Sequence, residues 1–152
     1  MRTVLIIGGS RGIGAHTVRA FCRDGWKTAF TYCESEDAAH ALTAETGAAA
    51  YRCDVRSEVD VLSMAAQASK RLPHLDAMIY CAGTAWTGLL QDMTAAEWDD
   101  LFAVHVRGAF LTTRAFLPGM ISRKAAASCT FPPCGARWAR PARRPIPPAK
   151  RR

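Results

Sequence analysis

The chain of 152 residues lacks several things, and each absence closes off a class of protein. A membrane-spanning helix needs about 20 apolar residues in a row, and the longest apolar runs here, at 4–7 and 77–81, are strand-sized. No membrane partner is expected. The start, MRTVLIIGGS, has one Arg and a short apolar run cut off by glycines. It reads as a first strand and not as a signal peptide. Six cysteines (Cys22, Cys33, Cys53, Cys81, Cys129 and Cys134) are scattered without a CxxC pair. Neither a zinc site nor a disulfide framework is expected, and thiols of this kind point to the cytoplasm. Tyrosine is scarce: Tyr32, Tyr51 and Tyr80 are the whole supply. Negative charge is missing from one end, because all 13 acidic residues precede Lys124.

What is present divides at that same place. Residues 1–123 carry 12 Lys or Arg against 13 Asp or Glu, a net of −1. Residues 124–152 hold eight Lys or Arg, no acid, and six of the eight prolines, so they contribute +8 to a total of +7. The expected organisation is a packed unit over 1–123 and a basic Arg/Pro-rich tail over 124–152. Such a tail buries too little apolar area to order itself.

Within 1–123 strands and helices alternate. Residues 3–7 (TVLII) form an unbroken apolar run, as a strand buried on both faces would. Residues 12–22 are helical in pattern, and 27–32 (KTAFTY) read as a second strand. Ser35 is a suitable N-cap, with Glu36 and Asp37 in the first turn and Gly47 at the stop. Residues 48–53 are a third strand, Ser57 with Asp60 opens a helix to about Arg71, and 75–80 (LDAMIY) are a fourth strand. Thr94 and Glu97 have the spacing of a capping box. The helix behind them, 95–118, carries Trp98, Leu101, Phe102, His105, Ala109 and Phe110 on one stripe and should end near Pro118. Strand–helix repetition with short connections implies a parallel sheet with helices on both faces.

Between the first strand and first helix stand Gly8, Gly9, Ser10, Arg11, Gly12, Ile13 and Gly14. A helix N-terminus presents unpaired N–H groups and partial positive charge. Glycine removes the Cβ that would hold a pyrophosphate off, and the last glycine lets helix and strand approach. A glycine turn that follows a strand and opens a helix points to dinucleotide binding. This G-x-x-x-G-I-G spacing resembles the short-chain dehydrogenase/reductase family. Three further stretches support the resemblance: Asp54-Val55 after the third strand, Ala82-Gly83 after the fourth, and residues 104–110, in which His105 stands where the family has Asn. The resemblance covers about residues 1–123.

It implies an α/β, partial Rossmann-type doubly wound sheet, truncated, with strand order 3-2-1-4. It also implies a nicotinamide dinucleotide held by Gly8, Ser10, Arg11, Gly12, Ile13, Gly14, Thr31, Asp54, Val55, Ala82 and Gly83, with Asp54 near the adenine. An acid at the end of the second strand would favour NAD(H). Thr31 stands there instead, and Arg11 could pair with a 2′-phosphate. NADP(H) is therefore the expected cofactor, although Glu34 nearby argues the other way. His105 reads as a core histidine on its apolar stripe. The family's alternative role for its position is holding a helix bend and a water relay.

The family's chemistry uses a Ser, and a Tyr four residues before a Lys. No tyrosine here has Lys four residues on, so no catalytic residue is retained. The genetic code suggests why. Codons for 129–152 can be re-read as the third base of one residue plus the first two of the next. Thr130/Phe131 then allows Ile, and the next two junctions allow Ser. Pro145/Ile146 allows Tyr, and Ala149/Lys150 allows Lys. The result is compatible with I-S-S-M-W-G-x-V-G…Y-S-A-[SG]-K, with the second Ser thirteen codons before the Tyr. A net loss of one base, or gain of two, near codons 124–126 is expected. Two other readings of the tail stand beside it: a basic arm for nucleic acid or another acidic surface, and a solvated extension. One Trp and one Phe give few stacking surfaces, so nucleic acid is not the expected partner.

By ancestry the reading is an NADP(H)-dependent oxidoreductase of the 3-oxoacyl-reductase kind, acting on a small carbonyl or alcohol. This chain should be inactive, with residual nucleotide binding. Loss of the fifth strand should leave 77–80 as an open apolar edge. The dimer surface should be lost, leaving Trp98, Phe102 and Phe110 partly exposed. Re-determined DNA across codons 120–130 and onward should encode Ser, Tyr and Lys in the neighbouring phase; a gene lacking them there defeats the frame reading.

Overall fold

The computed structural model describes residues 1–122, 129–130 and 137–138. Most of the tail therefore lies outside the described residues. Strands β1 (Thr3–Ile7), β2 (Lys27–Tyr32), β3 (Ala49–Arg52) and β4 (Ala77–Tyr80) alternate with helices α1 (Gly12–Arg23), α2 (Glu36–Thr46) and α3 (Glu58–Arg71). All their pairings are parallel: β1 lies between β2 (Val4 opposite Thr28) and β4 (Val4 opposite Ala77), and β3 lies outside β2 (Ala29 opposite Ala49). The order 3-2-1-4 is as expected.

The sheet does not stop there. β5 (Cys129–Thr130) pairs parallel with β4 at Met78 and Ile79, and β6 (Arg137–Trp138) pairs antiparallel with β5. The expectation of a bare β4 edge is corrected. Unpaired N–H and C=O groups at a strand edge are a template for pairing, and a short stretch of the chain's own backbone occupies it.

Alternation along the strands sorts the core into two layers. Leu5, Ile7, Ala29 and Met78 face one side, where Val61 and Met64 of α3 and Leu111 and Met120 pack. Val4, Ile6 and Phe30 face the other, against Ala15 and Val18 of α1 and Leu42 of α2. Each Val, Leu, Ile, Phe or Met among them contributes about 1.5–3 kcal/mol through burial. Cys22, Cys33, Cys53 and Cys81 are free thiols. Among the described residues no helix is long and apolar enough to cross a membrane.

The helix expected over 95–118 is three pieces: α4 (Ala95–Phe102), a π-helical segment (Ala103–Gly108) and α5 (Ala109–Ser122). Thr94 and Glu97 form the full reciprocal capping box. Ser57 accepts from Asp60 N, whereas Ser35 occupies its cap position without a side-chain bond. The extra residue of a π turn rotates the helix face that follows it. The expected single stripe is therefore split. Ala109 is buried, while Trp98, Phe102 and Phe110 are 48, 47 and 57 % exposed. Pro118 does not end the helix. It lacks the N–H that would bond one turn back, yet α5 runs on to Ser122, and Met120 beyond it is buried in the core.

The π segment meets the sheet at Gly108. A Cβ there would stand 2.6 Å from the Tyr80 hydroxyl and 2.8 Å from Val55 Cγ2. Tyr80 Oη in turn donates to the Val104 carbonyl within the segment. Gly108→Ala is expected to destabilise by about 1–3 kcal/mol, the ordinary cost of overpacking. A urea midpoint equal to that of the parent chain would contradict this close fit.

Candidate functional site

The parallel strands all end on one side of the sheet, and their loops surround a cleft of about 360 Å³. Ligands of open α/β sheets sit at such an edge. Gly8, Arg11, Thr31, Asp54, Val55, Ala82 and Gly83 line it, as does Glu34, together with residues that sequence reasoning did not select, among them Cys33, Arg56 and Thr84. Ser10, Gly12, Ile13 and Gly14 stand in the adjoining turn and first helical turn. Ile13 is 67 % exposed, an apolar side chain left uncovered at the helix start.

Two close approaches build the turn. Gly8 has φ +79°, and a Cβ on it would lie 2.6 Å from Ala82 Cα. Gly14 is tighter: its Cβ would fall 2.1 Å from the Gly8 carbonyl oxygen. Gly12 differs, with φ +52° and no atom within 4 Å of a built Cβ. Gly8 and Gly14 bring strand ends and helix together, and Gly12 leaves space above them. Gly9 also matters and was missed. A Cβ on it would meet Phe30 Cβ at 2.4 Å.

The N-terminus of α1 opens into that space. Arg11 is its cap residue, in extended backbone, and no side chain caps the helix. Its first N–H groups keep their hydrogen-bonding capacity and the positive end of the helix dipole. Arg11 is exposed, and among the described residues no carboxylate pairs with it.

Thr31 has a different role from the one its position suggested. It is 1 % exposed, and its hydroxyl accepts from Gly8 N at 3.0 Å while its carbonyl accepts from Gly9 N at 2.8 Å. Its side chain holds the glycine turn from below. The exposed residues at the mouth of this strand are Cys33 and Glu34.

Asp54 is not left to a ligand alone. Arg56 Nη2 donates to its carboxylate at 2.8 Å, Arg56 Nε at 3.0 Å, and Arg56 backbone N at 2.9 Å. The other arm of Arg56 reaches Asp100 on α4 at 2.7 Å. The guanidinium beside Asp54 holds its carboxyl below the usual carboxylate range. An Arg two residues past an acid at a strand end is the signal that could have disclosed this fork.

His105 is corrected as well. It is half-buried in the π segment, and its Nε2 lies 2.7 Å from the Thr84 carbonyl oxygen and 3.3 Å from Thr84 N. The shorter contact assigns the proton to Nε2, donating to the carbonyl. The ring also packs on Gly83, where an added Cβ would lie 2.8 Å from His105 Cε1. It fastens the loop after β4 to the helix and is not a core side chain.

Residues 2–128 match the short chain dehydrogenase family. The chain is 38 % identical over 109 residues to the cyclic-di-GMP-binding biofilm dispersal mediator protein of Escherichia coli, across 72 % of this chain and 44 % of that protein. It is 34 % identical over 122 residues to the acetoacetyl-CoA reductase of Shinella zoogloeoides, across 80 % and 51 %. Among solved structures it is similar to BdcA in complex with NADPH, at 35 % identity and TM-score 0.71, over 78 % of this chain and 47 % of that one. It is similar also to a short-chain dehydrogenase from Streptomyces avermitilis, at 29 % identity and TM-score 0.76, over 82 % and 46 %. The chain spans about half the length of the curated relatives it matches.

The Asp54–Arg56 fork has a pH signature. The fold favours ionised Asp54, so its contribution is complete above the ordinary carboxylate pKa of about 3.9 and fades as pH falls through the lowered value. Arg56→Ala should move the Asp54 carboxyl titration upward, followed by NMR, and should remove that part of the acid sensitivity. An unmoved Asp54 titration would break the assignment.

Proposed function

The chain belongs to the short-chain dehydrogenase family, and from that premise we propose that it is the nucleotide-binding half of an NADP(H)-dependent oxidoreductase interconverting a carbonyl and an alcohol. The observation that carries this is the uncapped start of α1 at the open space beside Gly12, next to the cleft that Gly8, Arg11 and Gly83 line. The donors present fit a dinucleotide. N–H groups of Gly12 and Ile13 would take the pyrophosphate. Ala82 and Gly83 would lie along the nicotinamide ribose, and Asp54 with Val55 would edge the adenine. Arg11, beside Cys33 and Glu34, would meet a 2′-phosphate, and Thr31 would act through the turn it supports. When bound, the nicotinamide supplies or accepts the hydride. This chain's own residues bind it, orient it and exclude water.

The NADPH complex of BdcA supports the choice of cofactor. The acetoacetyl-CoA reductase relatives support a 3-oxoacyl substrate. Residues 1–123 are the nucleotide-binding unit in this reading, and 124–152 are a stretch read out of phase. The proton-transferring Tyr and its Lys are not encoded in the frame given, so the chain binds without turnover. General acid catalysis is worth about 10²–10⁴-fold, the contribution that this reading removes with the Tyr.

Titration of the purified chain with NADPH, followed by nicotinamide fluorescence, should saturate, with no reduction of an acetoacetyl thioester. Arg11→Ala should weaken NADPH about tenfold or more, the scale of one charged hydrogen bond, and leave NADH nearly unchanged. Absence of saturable NADPH binding overturns the reading. Turnover at a rate comparable with an intact reductase overturns the assignment of inactivity.

A further inference from the structure

We propose that Cys33 and Cys53 form a dithiol modification site at the mouth of the cleft, closing to a reversible disulfide under peroxide. Register carries the argument. β2 and β3 are paired with Thr31 opposite Tyr51 and Tyr32 opposite Arg52. Cys53 N closes the last of these pairs by donating to the Tyr32 carbonyl at 2.8 Å, and the chains leave the ladder with Cys33 and Cys53 as the next residues on each strand. Ala29 and Ala49, an even number of residues back, pack in one layer with Cys53, and the same alternation carries Cys33, one residue past the end of β2, toward that face. Both cysteines line the cleft. Cys33 is exposed and Cys53 is buried, so an oxidant meets Cys33 first and finds its resolving thiol behind it.

The chemistry balances. The Cys33 thiolate displaces hydroxide from hydrogen peroxide and becomes a sulfenic acid. The Cys53 sulfur attacks that sulfur, the S–S bond forms, the S–O bond breaks, and water leaves. Two electrons pass from the thiols to the peroxide, and the thiol protons end in water. Burial pushes the Cys53 thiol up to about 12, and burial with Asp54 and Glu34 nearby raises Cys33. Thiolate is scarce at neutral pH, so the pair answers sustained oxidant and not a brief exposure. Facing residues on neighbouring strands are about 4.8 Å apart, while a disulfide brings Cβ atoms to about 3.5–4.5 Å. Closure must pinch the strand ends together, which makes the bond easily reduced. It also draws Cys33 and Glu34 toward Asp54 and narrows the part of the cleft assigned above to the adenosine phosphate. This last consequence rests on the proposed nucleotide reading.

The test treats the full chain with hydrogen peroxide and maps its disulfides by mass spectrometry, with NADPH affinity measured before oxidation, after it, and after dithiothreitol. The expected result is a Cys33–Cys53 cross-linked peptide, an affinity lowered about tenfold or more, and recovery on reduction. Cys33→Ser and Cys53→Ser should each lose both the cross-link and the affinity drop. Cross-links only to other cysteines, or an unchanged loss of affinity in Cys53→Ser, overturn the site. If the reduced chain fails to bind NADPH at all, the nucleotide reading falls instead, and the peptide map alone decides the dithiol.

Discussion

The approach of Gly8 to both Ala82 and Gly14 is the constraint on which the nucleotide end of the molecule depends. One glycine carbonyl touches the first turn of α1, and the same glycine's Cα faces the end of β4. Neither distance tolerates a side chain. Thr31, buried in β2, supplies the third tie by accepting from Gly8 N. Three strand ends and one helix start are therefore fixed to a single residue. The open ground beside Gly12 exists because its neighbours are so close. Close packing and empty space are made by the same turn, and only the positions of the glycines decide which occurs where.

Much of this was legible in the residues. The apolar run at 3–7, the alternation of strand and helix, the glycine spacing and the Thr94–Glu97 box all act over a few residues, so local chemistry reveals them. The order 3-2-1-4 came from the family resemblance that the glycine spacing carries, and strand–helix alternation gave only a parallel sheet. What stayed hidden depends on distant partners. Thr31 looked like an outward strand end, and only the position of Gly8, 23 residues away, shows that its hydroxyl turns inward. Arg56 drew no reading at all, because its partner Asp100 lies 44 residues on. The π segment depends on the packing of Gly108 against Tyr80 and Val55, which no periodicity contains. Pro118 follows a strong local rule and breaks it, because burial of Met120 outweighs one missing backbone bond. The pairing of β5 on β4 was unforeseen for a similar reason: it comes from the edge offered, not from the sequence that fills it.

Charge is distributed to match. The Arg56 fork consumes the acid at the mouth of β3, and Arg19 is matched by Glu45 on the opposite layer. Arg114 pairs with Glu58 and ties α5 to α3, while its guanidinium also lies over Phe110. Exposed pairs of this type add little to stability, so they orient helices more than they hold them. The apolar side chains left outside are Trp98, with its ring 4.7 Å from that of Phe102, and then Val106 and Phe110, spread along α4, the π segment and α5.

The place of β1 in the middle of the sheet has a consequence for synthesis. It leaves the ribosome first, yet one of its two neighbours is β4, and the bond from Thr3 N to Asp76 spans 73 residues. At roughly 5–20 residues per second, the nascent TVLII segment waits roughly 4–15 s before its second flank is made. During that interval the most apolar strand of the molecule has one open side in a crowded compartment.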